Sequence, residues 1–215
     1  MNWKFFRLCP WIDTRAKFVS GTPPGGALLD IGSSDGRTLG HMAELRPDLD
    51  FFATDLEGSP EHYPAGCRFH RGDIQSQKLP WQDAALDAIT CMHLVEHLQD
   101  LRPLMSEIGR LLKPGGRVYL ETPHPKSLHV KSVPGSPVAL NFYDDATHIR
   151  MVTTDELAGL ARAAGLEVQS AGTSRNWLLA AAHPLFALLP AGRKKFAAYT
   201  HWLGWSAYLV ARKKP

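Results

Sequence analysis

The chain of 215 residues is 44% apolar and 21% charged with a formal charge of +3, which suits one soluble globular domain with a real core. So mild a charge, with no like-charge run longer than Arg193-Lys194-Lys195, argues against sequence-independent binding to nucleic acid. The three cysteines, Cys9, Cys67 and Cys91, lack metal or redox spacing, the charged, Pro-containing start is a poor secretory signal, and no run reaches membrane-spanning length, so a cytoplasmic setting is expected.

Residues 1–26 read as an aromatic and basic lead-in, closed by a Pro- and Gly-rich break. Leu28-Leu29-Asp30-Ile31 then reads as a buried strand that turns through Gly32, Ser33, Ser34 and Gly36 into a helix over 38–45, stopped by Arg46-Pro47. Small residues let a ligand approach the backbone, and the helix start offers unpaired N–H groups. An ordinary strand-to-helix turn is the plain alternative. The dinucleotide fingerprint requires glycines at the first, third and sixth places; counted from Gly32, the latter two are Ser34 and Arg37. Asp30 at the strand end is instead placed to accept hydrogen bonds from a cationic or hydroxylated ligand.

A second strand over 50–54 ends on Asp55 and Leu56, and parallel topology would bring it beside the first strand's end, where an acid can take both ribose hydroxyls. The short third strand, over 68–71, runs into Gly72-Asp73-Ile74. Acids at three strand ends are far more specific than any glycine pattern alone. After a fourth strand over 86–91 comes Met92-His93-Leu94-Val95-Glu96-His97, whose His93, Glu96 and His97 would share one face of a helix. The same His-x-x-Glu-His run is the inverted zinc-protease signature. It sits in a sheet committed to another cofactor and has no distal acidic helix, so no metal is assigned to it, with a divalent ion bound there as the minor alternative.

Leu101, Leu104, Met105, Ile108, Leu111 and Leu112 form the apolar stripe of the next helix, and Lys113-Pro114-Gly115-Gly116 turns it into a fifth strand over 117–121. A long loop follows from His124-Pro125 to Asn141–His148; its aromatic and His content favours function over disorder. Thr153 to Glu156 supplies a capping box for a helix through Ala164, ended by Gly165, and a strand over 166–170 follows. An apolar block over 177–189 and a basic helix over 193–203 with Phe196, Tyr199 and Trp202 separate it from a final strand over 207–212. That block reads as a lid or dimer face, or as peripheral membrane contact at a lipid-linked acceptor.

The glycine turn with its strand-end acid, the later acids, Val95-Glu96-His97-Leu98 and Leu111-Leu112-Lys113-Pro114-Gly115-Gly116 together resemble, in their order, the class I S-adenosylmethionine-dependent methyltransferases of the small-molecule, 11/23-like type. The resemblance covers residues 27–212 and implies an α/β, Rossmann-like, seven-stranded sheet with helices on both faces and the last strand antiparallel. It implies one domain over 1–215, with the lead-in at 1–26, a cofactor half at 27–122, and an acceptor half at 123–215 holding an inserted helical block at 174–204. S-adenosyl-L-methionine would be held by Asp30, Gly32, Ser33, Ser34, Gly36, Asp55, Leu56, Asp73, Ile74 and Met92, with Asp73 at the adenine amino group and Ile74 on the ring.

His124-Pro125, Phe142-Tyr143 and Asp145-x-Thr147-His148 resemble methyltransferases acting on saccharides and related hydroxylated molecules, which implies O-methylation of such an acceptor by a monomer or homodimer. A hydroxyl nucleophile is helped by a base near neutral pH, and His148, His124 and His97 are the candidates, with Asp144 or Asp145 to orient them. Two other readings stand beside this one: a binding or regulatory protein of the same fold without turnover, and, more distantly, a nicotinamide oxidoreductase.

Overall fold

The computed structural model describes residues 3–215. Seven strands form one sheet in the order β3-β2-β1-β4-β5-β7-β6. They are β1 (Ala27–Ile31), β2 (Asp50–Asp55), β3 (Arg68–Arg71), β4 (Leu86–Met92), β5 (Leu112–Pro123), β6 (Leu166–Ser174) and β7 (Ser206–Lys213). Only β7 runs antiparallel, wedged between β5 and β6. The strand order reverses between β1 and β4, and in an open α/β sheet a ligand crevice forms there, at the carboxyl ends of the strands.

Both faces of the sheet are covered, so its central strands are apolar almost throughout. On one face Leu29, Ile31, Ile89, Cys91 and Leu120 pack on α3 (Arg102–Leu111) and α4 (Thr154–Ala163). On the other, Leu28, Ala88 and Tyr119 pack on α1 (Thr14–Ser20) and α2 (Arg37–Leu45). The stripe of α3 is core as expected, with Leu104, Met105, Ile108 and Leu111 all buried. Fully burying each such side chain stabilises the fold by about 1.5–3 kcal/mol.

Several boundaries differ from those the sequence suggests. The lead-in is helical and contributes Trp3, Phe6, Phe18 and Val19 to the core; Asp13 caps α1 by accepting from Arg15 N and Ala16 N. The fifth strand extends back to Leu112, which pairs with Leu86, but its pairing skips residues 113–116, with Gly115 at a φ of 81°, and resumes at Arg117, so the expected turn survives as a bulge inside the strand. The sixth strand runs on to Ser174 by pairing with Ser206, so the inserted block starts after it, as α5 (Trp177–Phe186) and α6 (Arg193–Leu203). Beyond β4 there is no full helix over 92–100: Val95–His97 make a single 3-10 turn, entered through His93 at a left-handed φ of 53°.

Candidate active site

The loop after β1 is fixed to the end of β2 by its own backbone. Gly32 N and Ser33 N both donate to the Thr54 carbonyl at 2.9 and 3.2 Å, and Ser34 N donates to Asp55 Oδ2 at 2.8 Å. Gly36 opens α2 at a φ of 71°, and a Cβ there would lie 2.4 Å from the His62 carbonyl oxygen, so only glycine fits. Tyr63 locks the loop from above: its hydroxyl donates to the Ser34 carbonyl at 3.0 Å and meets Ser33 Oγ at 3.0 Å.

This loop borders a cleft whose walls include Gly32, Asp55, Leu56, Asp73, Ile74 and His97. Asp55 Oδ1 accepts from Glu57 N at 3.0 Å, so each carboxylate oxygen is oriented by one backbone amide and keeps lone-pair capacity toward the cleft. Leu56 is 63% exposed, an apolar surface at the rim open to a flat ring, and Ile74 is buried below. Asp73 is held by Gln75 N at 2.9 Å and Ser76 Oγ at 3.0 Å. A glycine-lined approach, an oriented acid and apolar walls suit a nucleoside, so these residues fit the cofactor the resemblance implies.

Not every expected residue faces that cleft. Asp30 points the other way, onto the Leu28 face; it is 2% exposed and accepts from Thr90 Oγ1 at 2.7 Å. Burial pushes its carboxyl up to about 7, against the Thr90 hydrogen bond and the charge of Arg15. Ser33 is buried beneath Tyr63, and Met92 packs against the core cluster of α1 and α2.

At the ends of β4 and β5 lies a network built from distant parts of the chain. His93 Nδ1 meets Glu96 Oε1 at 3.1 Å, and Nε2 meets Glu121 Oε1 at 3.2 Å and Ser206 Oγ at 3.3 Å. Glu121 also accepts from Arg15 Nε at 2.9 Å and Tyr119 OH at 2.6 Å, and Arg15 Nη2 pairs with Oε1. Glu96 and Glu121 are fully buried. Burial alone would lower the His93 pKa, but its bonds to both glutamates push it up to about 9; Glu121, which burial would raise, is held well below the usual carboxylate range by Arg15. A cavity of about 220 Å3, walled in part by Arg15, His93, His201 and Trp205, opens beside this network. Sequence reading passed over Arg15 and Glu121. Glu121 had a signal, being one more acid at a strand end, whereas nothing local marks Arg15.

Two of the three candidate histidines are brought together. His148 Nδ1 donates to the Phe142 carbonyl at 2.6 Å, His97 Nδ1 donates to the Thr147 carbonyl at 3.1 Å, and the two rings stand 4.8 Å apart. Glu96 Oε1 lies 3.9 Å from His148 Nε2. A carbonyl only accepts, so both Nδ1 atoms carry the proton and both Nε2 atoms offer lone pairs. Asp145 orients Thr147, accepting from its N–H at 2.9 Å, and Asp144 caps the turn over 142–144. His124 serves elsewhere: its Nδ1 accepts from Lys126 N at 3.1 Å and its backbone N–H donates to the Trp205 carbonyl, and burial, with Lys126 and Arg175 nearby, lowers its pKa.

Comparison with known proteins agrees with this geometry. The family model described as a methyltransferase domain matches residues 3–171. The ubiquinone biosynthesis O-methyltransferase of Paraburkholderia phymatum is 32% identical over 167 residues, covering 73% of this chain and 68% of that protein; its Ralstonia nicotianae namesake is 29% identical over 163 residues, covering 71% and 68%. Among solved structures, a chain of the complex between the Haloferax volcanii Trm112 methyltransferase activator and a methyltransferase superposes with a TM-score of 0.68 at 19% identity, covering 99% of this chain and 94% of that one. With the strand order, the glycine turn and the oriented acids already in place, this chain belongs to the class I S-adenosylmethionine-dependent methyltransferases.

Proposed function

We propose that the chain methylates a hydroxyl oxygen of a small molecule, with residues 27–122 as the cofactor half and residues 123–215 as the acceptor half. The observation that carries this is the pairing of His97, which lines the cofactor cleft, with His148, the two rings 4.8 Å apart and His148 Nε2 3.9 Å from the buried Glu96. S-adenosylmethionine, when bound, supplies an electrophilic methyl carbon on a sulfonium. The chain's own work is then to hold the acceptor in line, exclude water and take up a proton. Gly32, Asp55, Leu56, Asp73 and Ile74 hold the nucleoside; Ser33, Ser34 and Gly36 shape the loop. Asp30 acts beneath it rather than on the ligand.

Relatives named ubiquinone biosynthesis O-methyltransferase support oxygen as the nucleophile and a hydroxylated acceptor, phenolic rather than saccharide. The C-terminal block supports an acceptor met at a lipid surface. Trp177, Leu185, Leu188 and Trp202 are 58%, 70%, 85% and 54% exposed. No acid follows Glu167, while Arg175, Arg193, Lys194, Lys195, Arg212, Lys213 and Lys214 do, which favours an anionic surface. Among the described residues no helix is long and apolar enough to cross a membrane.

The test is transfer of label from S-adenosylmethionine to a panel of phenols, saccharides and amines. Labelled ether from a phenol, reduced about 100-fold or more in His148→Ala, supports the reading; label on nitrogen or carbon would overturn it.

A further inference from the structure

The cavity of about 220 Å3 beside the buried charge network is walled by side chains from distant elements: Arg15 from α1, His93 from the turn after β4, His201 from α6 and Ser206 from β7. Three of them bring an uncommitted hydrogen. Arg15 directs Nε and Nη2 at Glu121, and its Nη1 has no partner among the described residues. His201 Nδ1 accepts from Asn176 N at 3.1 Å, so the ring proton sits on Nε2, which has no partner among the described residues either. His93 lies between two carboxylates and donates from Nε2, so Ser206 Oγ accepts at 3.3 Å and its own hydrogen is left to donate. Acceptors are scarce. Glu121 accepts from Arg15 Nε and Nη2, His93 Nε2 and Tyr119 OH, which fills the lone pairs of both its oxygens.

That balance selects a ligand group. An ammonium needs acceptors and a neutral hydroxyl needs one as well as a donor, whereas a carboxylate only accepts. The two cations and two carboxylates of the network offset one another, so the selection lies in the hydrogen bonds and not in excess charge. The remaining wall suits a ring. Trp205 is fixed by its Nε1, which donates to the Leu140 carbonyl at 2.6 Å, and its indole stands 5.5 Å from the His93 ring; Val138 and Ala139 add apolar surface. A cavity of about 150 Å3 already holds benzene, so this one has room for a ring with a substituent.

We propose that this cavity binds an aromatic carboxylic acid, its carboxylate on Arg15 Nη1, His201 Nε2 and Ser206 Oγ and its ring against Trp205, and that the hydroxyl to be methylated is carried on such a ring. Cavity and base are close neighbours: Glu96 Oε1 lies 3.1 Å from His93 Nδ1 and 3.9 Å from His148 Nε2. A site built to hydrogen-bond one group of its ligand rejects the analogue without that group, because its own polar atoms are then left unpaired. Binding of the acid stands on these side chains alone; that the acid is the methyl acceptor rests on the methyltransferase reading.

The experiment is calorimetric titration of benzoate and gallate, each beside its methyl ester, into the full chain with and without S-adenosylhomocysteine, followed by transfer of label from S-adenosylmethionine to gallate and its ester. The proposal predicts that each acid binds about 10-fold or more tightly than its ester, as hydrogen bonds to a charged group require, and that the preference appears in KM. In His201→Phe and Ser206→Ala the preference should shrink about 5-fold or more, with S-adenosylhomocysteine affinity retained as evidence that the variants fold. Equal affinity for acid and ester, failure of both acids to bind, or an undiminished preference in both variants would overturn the proposal. So would variants that lose S-adenosylhomocysteine and keep the acid, since the donors would then serve the cofactor. Intact protein that prefers the acids but binds no S-adenosylhomocysteine would remove the methyltransferase reading and leave the acid site standing.

Discussion

The loop after β1 and the turn after β4 lie on adjacent parallel strands, yet they are built in opposite ways. The β1 loop is held by neighbours in sequence: Ser34 to Asp55, 21 residues on, and Ser33 to Tyr63, 30 residues on. The β4 turn is held by far ends of the chain, with His93 bonded to Ser206 across 113 residues and Glu121 to Arg15 across 106. The first is a backbone device that any chain with the right small residues can form. The second is a buried charge network that exists only once the whole sheet is assembled. A methyltransferase needs the same cofactor seat whatever it methylates, so the local device suits the cofactor side and the assembled network suits the acceptor.

The largest expected effect comes from breaking the assembled side. Glu121→Gln leaves Arg15 and His93 without their shared carboxylate, and loss of one partner from a buried ionic group costs about 3–5 kcal/mol. Urea unfolding should show that loss, and an unchanged midpoint would mean the network carries no stability.

Next is the response to pH. Native Asp30 keeps its proton up to about 7, whereas the unfolded carboxyl releases it near its ordinary value of 3.8, so stability falls as pH rises between those values. His93 adds to the same trend: its stabilising charge is fully present below 6.5 and is lost as pH rises through about 9. Glu121, depressed in the native state, costs stability only as pH falls below its ordinary value of 4.5, so these groups together place the maximum at about pH 4. Asp30→Asn should remove the loss between pH 4 and 7, about 2–4 kcal/mol, and a variant with an unaltered profile would show that Asp30 does not titrate there.

On the local side, Gly36→Ala forces a side chain into left-handed backbone and against the His62 carbonyl, for about 2 kcal/mol or more. Gly25→Ala, at a φ of 64° but with nothing within 4 Å, should cost about 1 kcal/mol. Equal costs would mean that packing at the loop contributes nothing. Smallest in stability is Leu188→Asp at the tip of the C-terminal block, within about 0.5 kcal/mol of the parent, while sedimentation with anionic vesicles should drop several-fold. Equal sedimentation would exclude that tip as the contact.

The same division explains what could be read from residues alone. Asp55, Asp73 and the glycine turn were legible because strand ends, acids and small residues are local facts. The inward turn of Asp30 was missed: its place at the strand end reads as that of a ligand acceptor, although alternation along β1 puts it on the Leu28 face, away from Ile31. A helix beyond Met92 was the natural reading of the spacing of His93, Glu96 and His97. The turn fails to extend because His93 takes a left-handed backbone that aims its ring at Glu121, a partner supplied by another strand. The pairing of His97 with His148 likewise rests on Thr147, 50 residues on, and no period in the sequence encodes such a distance.

The most direct test of this division is calorimetric titration of S-adenosylhomocysteine into the intact protein, Asp55→Ala and His148→Ala. Two charged hydrogen-bond acceptors on the ribose side are worth about 1.5–3 kcal/mol, so Asp55→Ala should bind about 10- to 100-fold more weakly than intact protein, which itself binds in the micromolar range. His148→Ala should bind like the intact protein. Failure of the intact protein to bind, or equal affinity in Asp55→Ala, would contradict the assignment of the cofactor seat, and loss of binding in His148→Ala would contradict its separation from the acceptor side.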